Sequence, residues 1–495
     1  MFLLEALAAY AETDRVALVY GAQQLTFREL NRQSDAFAAW LLERFGEDRT
    51  PVLLYGHKEL TLPVCMFGAL KAGRGYVPVD TTFPVERVRQ IAEELQPRVV
   101  VDLYNAGVTA EAVLQAEELN GILSGGGTVS RETWIRPEQT AYLLFTSGST
   151  GKPKGVQVTA GNIAAFNAGV EPWFEIREGV FLNEISYSFD VSVCALYYAL
   201  SRGMTLFTVD KTTLNDPRLL FEALRQSQID FWVSTPSLAE ICVQSEQFRK
   251  ELLPRVQKFV FCGEVLTKKL CSQMLERFPG VPVLNAYGPT EATVLVTAVE
   301  VTPALVADPR PVPIGYGFSN VQARIVDSEG NVLPDGQAGE LQLLGDCVSP
   351  GYFRRPELNE RAFFTEDGVR GYRTGDLCEM EQGLIYYHGR LDGQVKLNGF
   401  RMELEDIENN LVRVPNIARA AVLPVFQDGK VVSLTAFVLL EEPDGLPSLK
   451  RARQIKEALA ALLPSYMIPR KITAVESFPL NTNGKVDKKA LAAKL

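Results

Sequence analysis

The chain has 495 residues, 50 Lys+Arg against 60 Asp+Glu and two histidines, giving a net charge of −10. Its length suggests either three packing units or one large and one small domain, and the negative balance argues against nucleic acid or an anionic membrane surface as the main partner. His57 and His388 have no second His or Cys at ligand spacing, which excludes the usual zinc site, and the absence of a Gly-x-Ser-x-Gly elbow argues against a Ser-His-Asp hydrolase.

At the N-terminus, Met1-Phe-Leu-Leu-Glu5 meets an acid too early for a signal peptide. No apolar run approaches a membrane span of about 18 residues. The seven cysteines are dispersed, odd in number and mostly set in apolar runs, so they read as reduced core thiols. A cytoplasmic protein without membrane insertion is expected.

Between residues 51 and 102 short apolar strands alternate with helical stretches. Residues 52–55 read as a strand, 62–71 as a helix closed by Gly73, and 75–80 as extended. Pro84 opens a helix through Leu95, its fixed φ suiting a first turn, and 99–102 form the next strand. This rhythm predicts a parallel sheet with helices on its faces. Residues 141–145 read as a further strand. The rhythm returns with a helix capped by Asp216 and begun at Pro217, then strands at 231–235, 259–262 and 283–285. From 309 to 351 short runs such as 323–327 and 340–344, broken by Gly and Pro, predict antiparallel structure. A boundary is expected near 390–393. Beyond it, a helix from 403 to 411 with Leu404, Ile407 and Leu411 at helical spacing, strands near 420–425 and 431–440, and a helix through 463 predict a small α+β unit.

One segment concentrates chemistry. Thr146-Ser-Gly-Ser-Thr-Gly-Lys-Pro-Lys-Gly155 follows directly on the strand at 141–145. Its hydroxyls and glycines supply many donors and a backbone free to approach phosphate oxygens, and Lys152 and Lys154 add positive charge. It is not a Walker A loop, because Pro follows Lys152 and Thr146 stands where the first Gly would be. A flexible surface linker is the plain alternative, disfavoured by the abutting buried strand.

This loop resembles the signature of the adenylate-forming superfamily, which includes acyl-CoA synthetases, luciferases and the adenylation domains of nonribosomal peptide synthesis. The resemblance runs along nearly the whole chain. Asn285-Ala-Tyr-Gly-Pro-Thr-Glu291 resembles the nucleotide motif, Tyr372-Arg-Thr-Gly-Asp376 the ribose-binding motif and Gly389-Arg-Leu-Asp392 the hinge. Pro479-Leu-Asn-Thr-Asn-Gly-Lys485 resembles the loop bearing the catalytic lysine. Phe189-Asp190-Val-Ser, Thr235-Pro-Ser-Leu-Ala-Glu-Ile-Cys242, Phe261-Cys262-Gly-Glu-Val-Leu266 and Arg401-Met-Glu-Leu-Glu-Asp-Ile-Glu408 are closer to one branch of it. That branch ligates D-alanine to a carrier protein for D-alanylation of (lipo)teichoic acid.

The resemblance implies an α/β fold. Residues 1–391 would form a large N-terminal adenylation core of parallel βαβ sheets with helices plus a small distorted β-barrel, and 392–495 a small mobile α+β C-terminal domain turning at Asp392. It implies ATP and Mg²⁺, D-alanine as substrate, a phosphopantetheinylated carrier protein acting in trans, and a monomer. The implied nucleotide contacts are Thr146, Ser147, Asn285, Ala286, Tyr287, Gly288, Pro289, Thr290, Asp376, Tyr387, Arg390 and Lys485. The implied substrate contacts are Asp190, Cys262, Val294 and Lys485. Two departures from the branch stand out, His388 where Asn is usual and Ala195 in place of an acid.

Elementary chemistry bears on these assignments. Adenylation brings a carboxylate to the α-phosphate of ATP, so two anions must meet among cations. Lys485, after the turn-forming Asn483-Gly484, is the candidate bridge, although Lys488 and Lys489 allow a merely basic tail. Asp376 can accept from both ribose hydroxyls or be an ordinary turn aspartate. Glu291 suits Mg²⁺, which takes one or two carboxylates plus phosphate oxygens. Tyr287 is either an adenine platform or a core tyrosine. Asp190 lies between apolar residues, where an unpaired carboxylate is costly, and a substrate ammonium would supply its partner; a helix cap is the alternative. Cys262, implicated by the resemblance in preferring D- over L-alanine, could equally be a buried thiol.

Two other functions compete. One is a free-standing adenylation enzyme or acyl-CoA ligase for another small amino or carboxylic acid. The other is a catalytically dead nucleotide-binding scaffold, which would be expected to have lost Lys485, Asp376 or the Thr/Ser/Gly loop. A local basic docking patch for an acidic carrier protein is expected beneath the overall −10.

Overall fold

The computed structural model describes residues 1–146, 153–391, 394–427, 429–479 and 488–492. The early strands form a seven-stranded sheet in the order Gly351–Tyr352, Lys154–Thr159, Thr140–Thr146, Tyr76–Val79, Val52–Tyr55, Val99–Asp102, Ala112–Leu114. From Thr140–Thr146 to Ala112–Leu114 the neighbours run parallel. Val52–Tyr55, Tyr76–Val79 and Val99–Asp102 are buried along their whole lengths, as strands covered on both faces must be. The helix Thr61–Lys71 is buried on every side from Leu62 onward. Pro84 has the expected φ of −56°, but its ψ of 147° is extended, so it caps a helix that starts one residue later, Val85–Leu95.

The second sheet has 14 strands and changes character at Val283–Tyr287. On one side Lys258–Phe261, Phe231–Ser234, Val180–Asn183, Thr205–Thr208 and Val16–Tyr20 continue in parallel. On the other side Thr297–Glu300, Gly315–Gly317, Leu384–Arg390, Val369–Glu381, Ala338–Leu344 and Gln322–Val326 follow antiparallel. The region expected as a small distorted barrel is thus the antiparallel arm of this sheet. Asp216 caps the helix Pro217–Ser227 as expected, accepting from the Arg218 amide. Val16–Tyr20, Val180–Asn183 and Thr205–Thr208 were not among the expected strands. They are four or five residues long, Val16–Tyr20 without a polar residue to alternate and the other two with Asn or Thr only at their ends, too little pattern for a period of two to show.

The small C-terminal domain opens with a hairpin, Gln394–Leu397 paired to Phe400–Glu403. The helix Leu404–Leu411 leads to Ile417–Gln427 and Lys430–Leu440, which pair antiparallel, while Lys471–Val475 runs parallel to the latter. The helix Ser448–Ala460 ends short of the expected 463, with Ala461 as its C-cap, and Pro464 disfavours the α region at Leu463. This domain has its own apolar core around Met402, Ile407, Leu411, Val422, Leu434 and Leu459. Asp392, the expected hinge, lies outside the described residues, as do Ser147 and Lys485. All seven cysteines are buried and free. Among the described residues no helix is long and apolar enough to cross a membrane.

Candidate active site

A cavity of about 380 Å³ lies where the two domains meet. Thr146, Asp190, Cys262, Gly288, Pro289, Thr290, Val294, Asp376 and Arg390 line it, together with Lys396, Gly399 and Arg401 of the C-terminal hairpin. The switch strand Val283–Tyr287 points its C-terminal end into this space, the position at which open α/β sheets bind ligands. Asn285 and Ala286 stay buried in that strand, with the Asn285 amide donating to the Pro313 carbonyl at 2.7 Å. Tyr387 sits beside Cys378 across the ladder, packed against the main core rather than lining the cavity.

At one end the strands Val369–Glu381 and Leu384–Arg390 set Asp376 directly opposite Arg390. Arg390 donates from Nη1 to Asp376 Oδ1 at 2.8 Å and from Nη2 to the Thr374 carbonyl at 3.0 Å. The Tyr287 hydroxyl donates to the other carboxylate oxygen. Burial and the neighbouring Asp376 push that phenol far above its usual range. Each carboxylate oxygen still has a lone pair to offer. Lys396 Nζ stands 5.6 Å over the Tyr287 ring.

At the other end the Thr290 hydroxyl donates to Asp190 Oδ2 at 2.6 Å, across 100 residues of sequence. Burial pushes the Asp190 carboxyl up, and the Thr290 hydrogen bond and Lys396 oppose that shift. The helical segment that follows starts at Ser192, and the Val193 amide donates to the Asp190 carbonyl while the Asp190 carboxylate accepts from Thr290. Cys262 is buried, its thiol pushed up by burial and by Asp190. Val294 has a φ of +74° and Thr293 one of +58°, two β-branched residues in the left-handed region, where such residues are strained. The surroundings fix them. Thr293 donates to the Cys347 carbonyl at 2.6 Å, and a Cβ on Gly288 would sit 2.3 Å from the Val294 oxygen. The glycine of the nucleotide motif is therefore required by the backbone of a pocket-wall residue. Ala195 is buried away from the cavity wall, and His388 lies 3.3 Å from Glu379 outside it, so neither departure touches the cavity.

Glu291 is 1% exposed and lies behind this wall. Its Oε1 accepts from the Tyr352 hydroxyl at 2.7 Å and its Oε2 from Arg401 Nη1 at 2.7 Å. Burial raises the carboxyl, but Arg401, Lys154 and the Tyr352 hydrogen bond outweigh it and hold it down at about 2. Lys154, expected to face phosphate, donates to Glu403 at 3.1 Å and lies 4.9 Å over the Tyr352 ring. The strands on either side of residues 147–152 pair antiparallel, so the Thr/Ser/Gly segment does not lead into a helix N-terminus. Among the described residues no cluster of three His, Cys, Asp or Glu could hold a metal. Glu291 nevertheless offers a hard carboxylate of the kind that Mg²⁺ takes, the rest of whose shell is water and phosphate.

Several contacts were not legible beforehand. Phe400 stacks on Tyr466 at 3.9 Å and meets Phe189 edge-on at 4.6 Å, closing the domain junction with aromatic rings. Arg87 pairs with Asp406 at 3.1 Å, and Lys430 reaches Glu240 at 2.8 Å and Glu264 at 2.9 Å. Lys58, 1% exposed, donates to Asn183 at 2.9 Å, its ammonium pushed down by burial while Glu184 nearby is pushed up. In sequence Lys58 stands in Gly-His-Lys-Glu, which reads as a polar turn.

Residues 5–353 match the description AMP-binding enzyme, and residues 406–485 match AMP-binding enzyme C-terminal domain. A D-alanine–D-alanyl carrier protein ligase of Bacillus cereus is 39% identical over 502 residues, spanning 100% of both chains. The protein of the same name from Bacillus anthracis is 39% identical over 504 residues, again with 100% of both covered. The holo form of an NRPS protein containing adenylation and PCP domains, bound to a vinylsulfonamide inhibitor, superposes with a TM-score of 0.86 at 25% identity over 100% of this chain and 84% of that one. The Vibrio cholerae adenylation domain AlmE, in complex with glycyl-adenosine-5'-phosphate, shares the fold with a TM-score of 0.82 at 22% identity, covering 99% and 97%.

Proposed function

The chain belongs to the AMP-binding enzyme family, and we propose that it activates D-alanine with ATP as D-alanyl-AMP and passes the D-alanyl group to a carrier-protein thiol. The observation that carries the substrate class is Asp190, a carboxylate on the cavity wall held by Thr290 and flanked by the apolar faces of Cys262 and Val294. A buried carboxylate there is the natural partner of an α-ammonium group. Small apolar neighbours suit a one-carbon side chain. The full-length likeness to D-alanine–D-alanyl carrier protein ligases supports the same choice.

Two displacements follow. A carboxylate oxygen of D-alanine attacks the α-phosphorus of ATP, and pyrophosphate leaves. The phosphopantetheine thiol of a separate carrier protein then attacks the acyl carbon, and AMP leaves. Asp376 would accept from the ribose hydroxyls while Arg390 and Tyr287 hold its carboxylate in place. Thr146, Ser147 and the turn Gly288-Pro289-Thr290 would contact the phosphates. Mg²⁺ at Glu291 would supply positive charge against the phosphate oxygens. Lys485 would bridge the α-phosphate and the substrate carboxylate, and the small domain, residues 392–495 turning at Asp392, would withdraw it for the second step. The product then serves (lipo)teichoic acid D-alanylation, drawing on cytoplasmic ATP.

ATP–pyrophosphate exchange across a panel of D- and L-amino acids tests this reading. D-alanine should exceed L-alanine and glycine; equal rates would overturn the D-alanine assignment in favour of another small acid. If Lys485→Ala kept full exchange but lost thioester formation, the role given to Lys485 would be reversed.

A further inference from the structure

Arg401 and Glu291 belong to different domains and are 110 residues apart, yet they meet as a buried charge pair at 2.7 Å. Arg401 is fixed from its own side as well. Its Nε donates to Gln394 Oε1 at 2.7 Å across the hairpin, the Gln394 amide donates to Glu403 at 2.5 Å, and Glu403 receives Lys154 at 3.1 Å. The guanidinium is therefore tethered to its own hairpin as well as to Glu291, and moves with the strand pair Gln394–Leu397 and Phe400–Glu403. With Tyr352 on the other oxygen, both oxygens of Glu291 are engaged in this arrangement. Each of them keeps a second lone pair, but Glu291 is 1% exposed, so a divalent cation at about 2.0–2.1 Å from either could enter only by displacing a neighbour. Two cations on one carboxylate oxygen would also repel each other.

We propose that Arg401 and a divalent cation hold Glu291 in alternation. Arg401 is the counter-ion of Glu291 while the small domain is seated as described here, and cation binding requires its departure. Arg401 is thus a positioning residue that supplies the positive charge beside Glu291 in the seated arrangement. Metal binding at Glu291 and seating of the hairpin oppose each other. The inference rests on the adenylation reading but not on which acid is activated.

The test uses the full-length chain with α,β-methylene-ATP held constant and Mn²⁺ titrated at fixed ionic strength. Bound Mn²⁺ is followed by electron paramagnetic resonance. Hydrogen exchange is followed in Pro236–Cys242, a helix that the small domain grips through Lys430. In the wild type Mn²⁺ should speed exchange in this helix. In Arg401→Gln exchange should be fast from the outset and insensitive to Mn²⁺, and Mn²⁺ should bind about tenfold more tightly, a coupling of ordinary size. Arg401→Lys, which keeps one positive charge, should restore part of the Mn²⁺ sensitivity. Unchanged exchange in the wild type, or equal Mn²⁺ affinity in wild type and Arg401→Gln, would overturn the inference, and the wild-type titration decides alone if a variant fails to fold. D-alanine-dependent pyrophosphate exchange without a Mn²⁺ effect overturns this inference only, whereas a Mn²⁺ effect without D-alanine preference overturns the substrate assignment only.

Discussion

The Asp190 carboxyl sits under Thr290 with burial pushing it above the ordinary aspartate range. A ligand ammonium recovers the charge that burial penalises, so the side chain contributes more to binding than to folding. Asp190→Asn should lower kcat/KM for the amino acid by about 10–100-fold, the value of a charged hydrogen bond, while moving the KM for ATP little. The sign of the pH dependence follows from the direction of the shift. A raised carboxyl takes up its proton at higher pH than a free aspartate does, so the amino-acid KM should climb on acidification before ordinary carboxylates titrate. Initial rates against pH in the wild type and Asp190→Asn check this, and a limb unchanged by the substitution would refute it. At this scale the sequence displays residues that stand in contiguous motifs, such as Asp376, Arg390 and Gly288. It does not display Thr290 as the donor to Asp190, nor Glu291 as the partner of Arg401, because those pairings depend on how distant strands and two domains are placed. The left-handed Val294 is hidden too, since nothing in a valine's neighbours announces a positive φ.

Among the elements, the hairpin Gln394–Leu397 and Phe400–Glu403 brings the small domain into the cavity wall. Gly399 has a φ of +81°, and a Cβ there would stand 2.6 Å from Thr235 Cγ2. Both conditions exclude a side chain, and the second fails only when the hairpin is seated. If the seated hairpin serves thiol transfer, Gly399→Ala should reduce thioester formation more than pyrophosphate exchange, by about tenfold or more for a clash that displaces the hairpin. Parallel measurement of the two half-reactions checks it, and equal losses would refute it. The expected parallel strands emerged because strands buried on both faces are continuous apolar runs. The Thr/Ser/Gly segment does adjoin a buried strand, as its place in the sequence implies, but the antiparallel return of Lys154–Thr159 is not legible there. The strand partner of Thr140–Thr146 is set by the sheet and not by local composition.

For the whole molecule, the seating of one domain on the other is largely ionic and aromatic. Arg87–Asp406, Arg401–Glu291, Lys154–Glu403 and the Lys430 pairs all cross the junction. Glu264 is 2% exposed, so removing its cation leaves a charge with little water. Lys430→Met should cost the seated arrangement about 3 kcal/mol, the lower part of the range for breaking a buried pair. The melting of the isolated cores should change little, because neither apolar cluster contains Lys430. Faster hydrogen exchange in Pro236–Cys242 with unchanged exchange in Lys258–Phe261 is the expected pattern, and a uniform rise would refute it. The small number of histidines also acquires a structural account. His57 is turned to Asp80 at 2.7 Å and His388 to Glu379 at 3.3 Å, so each imidazole has a carboxylate partner.

The seven thiols, all shielded and none bridged, give the chain an internal chronometer. Of the seven, only Cys262 lines the space between the domains, whereas Cys65 and Cys271 lie inside the N-terminal apolar clusters. A small alkylating reagent would therefore reach Cys262 at the tempo of domain opening and the other two at the tempo of unfolding. Native chemistry would report separately on the turnover motion and on the lifetime of the protein.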